Sequence, residues 1–280
     1  MKLGRESARV VALGEVPIES AWARTTHLGI GAHADDLEIM AAHGILECLD
    51  RSDRWFSGVV VADGAGGPRA PAYAELGERE MAAVRVGEQL KAAELGQYSA
   101  LAMLGYPSNL IKRADHVAVV DDLRSILLAA RPELVYTHNL ADKHDTHVAV
   151  ALRTIEACRS LPEGQRPLRV LGCEVWRDLD WLCDADKVRL RVDGHGDFLS
   201  ALLGAHESQL ATGKRYDLGT LGRQRAHATF AESHVSDDAG ALAWAMDLTP
   251  LIAGGAPSEL ASELLERLRR DVLARIARLS

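Results

Sequence analysis

Hydrophobic residues in the first 160 positions fall into two alternating kinds of block. Short apolar runs, "HLGIGAH" (27–33), "WFSGVVVADG" (55–64), "SALAMLGY" (99–106) and "ELVYTHN" (133–139), lack a clear polar alternation. They predict strands covered on both faces. The segments between them carry a helical period: 38–50, with Ile39, Ala42, Ile45, Leu46 and Leu49 on one side; 75–96, ended by Gly96; 115–132, closed by Pro132; and 145–161. Four strand–helix alternations predict an α/β, Rossmann-like three-layer fold with a mostly parallel sheet.

After about residue 167 the alternation loosens. "LRVLGCEVW" (168–176) and "KVRLRVD" (187–193) read as strands, and "GDFLSALLGAHESQLA" (196–211) and "DLGTLGRQRAHATFAES" (217–233) as helices. Leu260, Leu264, Leu268, Val272 and Ile276 mark an amphipathic C-terminal helix. No clear linker and no internal repeat interrupts the chain. The expectation is one domain over 1–280, with a core at about 25–165 and a strand/helix elaboration at about 166–280. The C-terminal stripe serves either its own domain or a partner subunit, which leaves a homo-oligomer open.

Composition adds mainly exclusions. A hydrophobic fraction of 48% suffices for a sizeable core, and a net charge of −8 speaks against nonspecific binding to nucleic acid or an anionic membrane. Cys48, Cys158, Cys173 and Cys183 form no C-x-x-C, so neither a cysteine zinc site nor a disulfide framework is expected. The N-terminus carries Glu6 and Glu15 without an apolar run, and no stretch of about 18 apolar residues exists anywhere. No signal peptide or transmembrane helix is expected, and the expected location is cytoplasmic.

The predicted fold directs attention to particular polar residues. Open parallel sheets bind ligands beyond the carboxyl ends of their strands, near the switch in strand order. His33, Asp35 and Asp36 follow the first strand, Asp63 the second, and His138, Asp142, His144 and His147 the fourth. His33 and Asp36 are three apart at a loop-to-helix joint, as are His144 and His147 at a helix start, so each pair shares a face. Alone, Asp35–Asp36 is the pattern of a helix cap, and the histidine pair that of a surface helix. Both halves at the same ends of parallel strands instead predict a metal centre: His and carboxylate ligands, an open position, and a spare carboxylate for proton transfer. Glu38, in the first helical turn, reads as structural.

"GAHADDLE" (31–38) resembles the first signature of the LmbE-like zinc N-deacetylases, the PIG-L family, and "DKHDTH" (142–147) resembles the second. "VVVADG" (59–64), "AVRVGEQLKAAELG" (83–96) and "AHESQL" (205–210) are similar to further family stretches, so the resemblance spans most of 27–212. It implies one Zn2+ per chain on His33, Asp36 and His147. It implies Asp35 as the general base toward metal-bound water, and His144 as the histidine assisting the tetrahedral intermediate or leaving amine. Asp142 would orient His144. The implied substrate is a small molecule of N-acetylglucosamine type, giving acetate and a free amine, with Arg85 and Asn109 as candidate substrate contacts. The chain departs from the family at Ala34, where proline is usual, at Asp145 and Thr146, and at Ser108–Asn109, where Asp-Gly is common. Two other readings stand beside this one. A zinc-dependent hydratase of an unsaturated carboxylic acid would show arginine-rich carboxylate contacts in its pocket. A non-enzymatic binding module is opposed by the intact ligand set.

Overall fold

The computed structural model describes residues 1–280 except Lys2 and Pro68. Its elements run β1 (Arg9–Ala12), α1 (Ile18–Ala23), β2 (His27–Gly31), α2 (Asp36–Met40), α3 (Ala42–Cys48), β3 (Phe56–Ala62), α4 (Glu78–Leu95), β4 (Ala100–Tyr106), α5 (Ser108–Ile111), α6 (Ala118–Ala130), β5 (Leu134–His138), α7 (Asp145–Arg159) and β6 (Arg169–Cys173). The later part adds β7 (Lys187–Arg191), α8 (Gly196–Gly204), α9 (Glu207–Leu210), α10 (Tyr216–Thr229), β8 (Leu242–Asp247), α11 (Thr249–Ala253) and α12 (Pro257–Leu279).

The strands form one eight-stranded sheet in the order β1-β4-β3-β2-β5-β6-β8-β7. The five inner strands from β4 to β6 are parallel, as the buried runs require; β1, β8 and β7 join antiparallel. Successive side chains alternate between two cores. Val59, Val61, Ala102 and Leu104 enter one, while Phe56, Val60, Leu101 and Met103 enter the other. Hydrophobic burial on both faces gives the three-layer α/β architecture. From β2 the chain steps outward to β3 and β4, then returns to place β5 on the other side of β2. The switch point therefore lies between the ends of β2 and β5, where the two halves of the candidate site were expected.

One contact ties the site to the sheet. Leu37, fully buried in the first turn of α2, lies over glycines of two adjacent strands. A Cβ at Gly58 would come within 2.7 Å of Leu37, and one at Gly29 within 2.9 Å. Side-chain-free strand positions thus let α2 approach, carrying Asp35 and Asp36 with it. Gly58→Ala is expected to destabilise the protein by about 1–3 kcal/mol through overpacking, read as a lower urea midpoint with unchanged slope. An unchanged midpoint would show that Leu37 is not the clamp.

Two expected helices are broken. The segment read as 38–50 starts at Asp36 and is interrupted at Ala41; that read as 196–211 breaks at Ala205–His206. The second break has a clear cause, since it turns the His206 ring inward onto Glu38. The C-terminal stripe also divides. Leu264 is buried against the body, whereas Val272 and Ile276 are exposed. No helix among the described residues is long and apolar enough to cross a membrane.

Candidate metal centre and active-site cavity

Beyond β2 the chain turns through Ala32–Asp35. Asp35 adopts a left-handed conformation (φ 90°, ψ −27°) at the residue preceding α2, a backbone state that costs a non-glycine residue about 1–3 kcal/mol. It occupies the cap position without making a capping hydrogen bond, so capping does not account for it; its side chain lines the cavity instead. Asp36 folds back, its Oδ2 accepting the His33 amide at 2.7 Å. The turn lacks the family's proline at Ala34, yet it is fastened from across the fold, because the Gln209 side-chain amide donates to the Ala34 carbonyl.

His33, Asp36 and His147 converge. His33 Nδ1 lies 3.1 Å from His147 Nε2 and 3.3 Å from Asp36 Oδ2, and His147 Nε2 lies 3.4 Å from that same oxygen. Ligands about 2.0–2.2 Å from a tetrahedral Zn2+ stand roughly 3.3–3.6 Å apart. The three donor atoms therefore nearly match one face of such a tetrahedron. His138, fully buried at the end of β5, also brings Nε2 to 3.3 Å from Asp36 Oδ2. Its Nε2 lone pair already accepts the Ala32 amide at 2.9 Å, which leaves none for an ion. Two other groupings have donor atoms close enough for a metal, His33–His144–His147 and Asp36–His138–His147. The lone-pair argument disfavours the second, and His144 sits at the partly exposed rim.

The two adjacent carboxylates are driven apart. Burial and then the negative charge of Asp36 push Asp35 up to about 7. Burial also opposes ionisation of Asp36, but His147 and His138 outweigh it and hold that carboxyl well below the usual range. Burial lowers His147 to about 4, so its ring is neutral at pH 7, the form a metal requires. His144 is lowered by burial and by His33; its Nδ1 accepts the Thr146 amide at 3.2 Å, leaving Nε2 unengaged. Asp142 does not orient the His144 ring as the resemblance implied. Its Oδ1 accepts the His144 backbone amide at 2.9 Å and lies 3.5 Å from His147 Nδ1, so the carboxylate faces the other histidine. The local turn at Asp142 decides this, since it fixes the main chain of His144 and leaves its ring free.

These groups open into a cavity of about 580 Å³. Arg85 lines it, and its guanidinium donates to the carbonyls of Gly64 and Gly66 in the loop after β3. Asn109 does not line the cavity: it is exposed, while Ser108 and Lys112, one helical turn apart, face inward in its place. Behind the first turn of α2, Glu38 accepts from Gln89 (2.9 Å) and Tyr98 (2.6 Å) and pairs with His206 at 3.0 Å. Ser208 donates to Glu88 at 2.7 Å. His138, His206 and Gln209 thus support the site without having been assigned roles from the sequence. The sequence carries signals for them: His138 ends a strand at the switch point, and "AHESQL" (205–210) contains both His206 and Gln209.

A Rossmann-like, mostly parallel sheet with an acid–histidine cluster at its switch point places the chain in the three-layer α/β class. Residues 28–158 match the model of the PIG-L family, described as GlcNAc-PI de-N-acetylase. No curated protein matches the chain significantly. Among solved structures, N,N'-diacetylchitobiose deacetylase from Pyrococcus horikoshii aligns at 17% identity and TM-score 0.65, covering 83% of this chain and 87% of that one. The 4-carboxy-2-hydroxymuconate hydratase of Pseudomonas putida aligns at 20% and 0.62, covering 81% and 97%. A zinc-inhibited form of teicoplanin deacetylase aligns at 16% and 0.59, covering 80% and 97%. These likenesses establish the shared fold.

Proposed function

We propose that this chain is a metal-dependent amidohydrolase that removes the acetyl group from an N-acetylglucosamine-type substrate, releasing acetate and a free amine. The observation that carries this reading is the His33–Asp36–His147 donor triangle with Asp35 beside it. The PIG-L match supports the chemistry, and the donor set suits zinc. The reading takes 1–280 as one unit, because Gln209 and His206 of the later segment complete the site.

An ion held by His33, Asp36 and His147 would make water acidic enough to attack near neutral pH and would polarise the acyl carbonyl. Asp35, with a pKa of about 7, accepts the proton of the attacking water and can return it to the departing nitrogen. In neutral His144 the accepting Nδ1 places the proton on Nε2, which can donate to the oxygen as negative charge develops there. Asp142 Oδ1 lies 3.5 Å from the far nitrogen of His147, and its negative charge there favours the tautomer that offers Nε2. Arg85 holds the loop over the cavity with part of its guanidinium, and the remainder is available to a polar substrate.

The test is to load the protein with zinc and incubate it with a panel of N-acetylglucosaminides, following acetate and free amine together. Equimolar release is expected. A second reading, hydration of an unsaturated carboxylic acid, is favoured by the basic residues Lys112, Lys214 and Arg223 around the cavity. Turnover of such an acid with no amine from any amide would replace the first reading by the second.

A further inference from the structure

The cavity has a wall that lies outside the family-matched residues. It comes from β6's outgoing loop and the start of α10, and it is basic and aromatic although the protein carries a net charge of −8. Trp176 is anchored next to the metal centre, its amide donating to Asp142 Oδ2 at 3.1 Å. Its ring meets that of Tyr216 edge-on at 5.7 Å, and the Lys214 ammonium sits 4.7 Å over it. Tyr216, Gly219, Thr220 and Arg223 present one face of α10 to the cavity at helical spacing. A side chain at Gly219 would meet nothing within 4 Å, so the space in front of this face is open.

The charge on this wall is uncompensated. Among the described residues no carboxylate pairs with Lys214, Arg223 or Lys112, whereas Arg215 is neutralised by Asp217 at 2.6 Å. Arg223 is half-buried and fixed by one nitrogen, Nη1, on the Val175 carbonyl at 2.8 Å. Its other N–H groups have no protein acceptor among the described residues. A guanidinium held by one edge with its remaining donors free toward a cavity is prepared for an oxyanion. The aromatic pair beside it supplies an apolar platform, and Lys214 stacked on Trp176 is held near that platform rather than sweeping through solvent.

We propose that this wall binds an anionic group, phosphate or carboxylate, carried by the substrate on the side away from the acylated nitrogen. This rests on the deacetylase reading for its substrate class. The conjugates that fit are N-acetylglucosaminides with an acidic aglycone, and an aromatic or flat linker between sugar and charge suits the Trp176–Tyr216 platform.

The test has a binding arm and a turnover arm. Inorganic phosphate and benzoate are titrated calorimetrically into the zinc-loaded wild type and into Lys214→Gln/Arg223→Gln, whose metal content and circular dichroism serve as folding controls. Affinity is expected to fall tenfold or more in the double variant and to recover partly in Lys214→Gln/Arg223→Lys. In turnover, phenyl N-acetylglucosaminide is compared with its 4-carboxyphenyl counterpart and with N-acetylglucosamine 1-phosphate. The wild type is expected to favour at least one acidic substrate tenfold or more in kcat/KM, and that ratio should collapse toward one in the double variant. Which acidic substrate wins identifies the source of the charge. Equal titrations in wild type and double variant, or a preference that survives the substitutions, overturns the proposal. If no amide is cleaved while anion binding still depends on Arg223 and Lys214, the deacetylase reading fails and the anion site stands.

Discussion

Replacing Asp35 by Asn should lower kcat by about 10²–10⁴-fold, the range for loss of a positioned general base, while zinc stays at one equivalent per chain. Asparagine tolerates the left-handed backbone at this position as well as aspartate does, and it keeps the side-chain shape, so the turn and Asp36 stay in place. The substitution removes only the group whose carboxyl burial and Asp36 hold near 7. Steady-state acetate release and elemental analysis of the same preparation check the two halves. Amine release at the wild-type rate would remove Asp35 from the chemistry, and loss of the metal would reassign it as a ligand.

His147→Ala is expected to do the opposite, emptying the site. His147 is fully buried and supplies one corner of the donor triangle, with Asp142 Oδ1 3.5 Å behind its far nitrogen. Zinc should fall below a tenth of an equivalent and turnover to background. Because the change also leaves a cavity at a fully buried position, stability should fall by roughly 2–5 kcal/mol, read from the denaturation midpoint of the metal-free proteins. Treating the wild type with a chelator should abolish turnover reversibly, with zinc restoring it. Full activity in the chelated wild type, or a full complement of metal in His147→Ala, would refute the assignment.

The inner five-stranded part of the sheet was legible because its strands are buried on both faces and announce themselves as apolar runs. Of the outer strands, β7 was legible as "KVRLRVD", and β1 and β8 were not. "RVVA" at β1 and "LAWAMD" at β8 pair antiparallel near the margins, where nothing in a four- or six-residue stretch distinguishes a strand from a loop. The convergence of His33, Asp36 and His147 could be anticipated because the side chains sit within a few residues of strand ends that topology makes neighbours. Asp142 was harder: its separations from His144 and His147 both permit contact, and only the turn that captures the His144 amide decides between them. Asn109 failed for a similar reason, since one helical turn at α5 sends it outward and brings Ser108 and Lys112 in. The support from His206 and Gln209 was invisible as geometry, because it crosses more than 160 residues of sequence (|i−j| of 168 and 175).

The position of β8 bears on the order in which the molecule is assembled. β7 pairs only with β8, a strand that begins about 50 residues later, and α10 lies between them in sequence. As the chain leaves the ribosome, β2 to β6 can form their parallel sheet while β7 still has no edge to join. Loop closure of this length delays β7 and leaves the Trp176–Arg223 wall to be completed near the end of folding. The acid–histidine residues thus sit on an early unit, and the Trp176–Arg223 wall and the His206 and Gln209 contacts that fasten the cluster come from a late one. Changes in the late unit can then reshape what the cavity accepts while the sheet that sets the cluster forms as before.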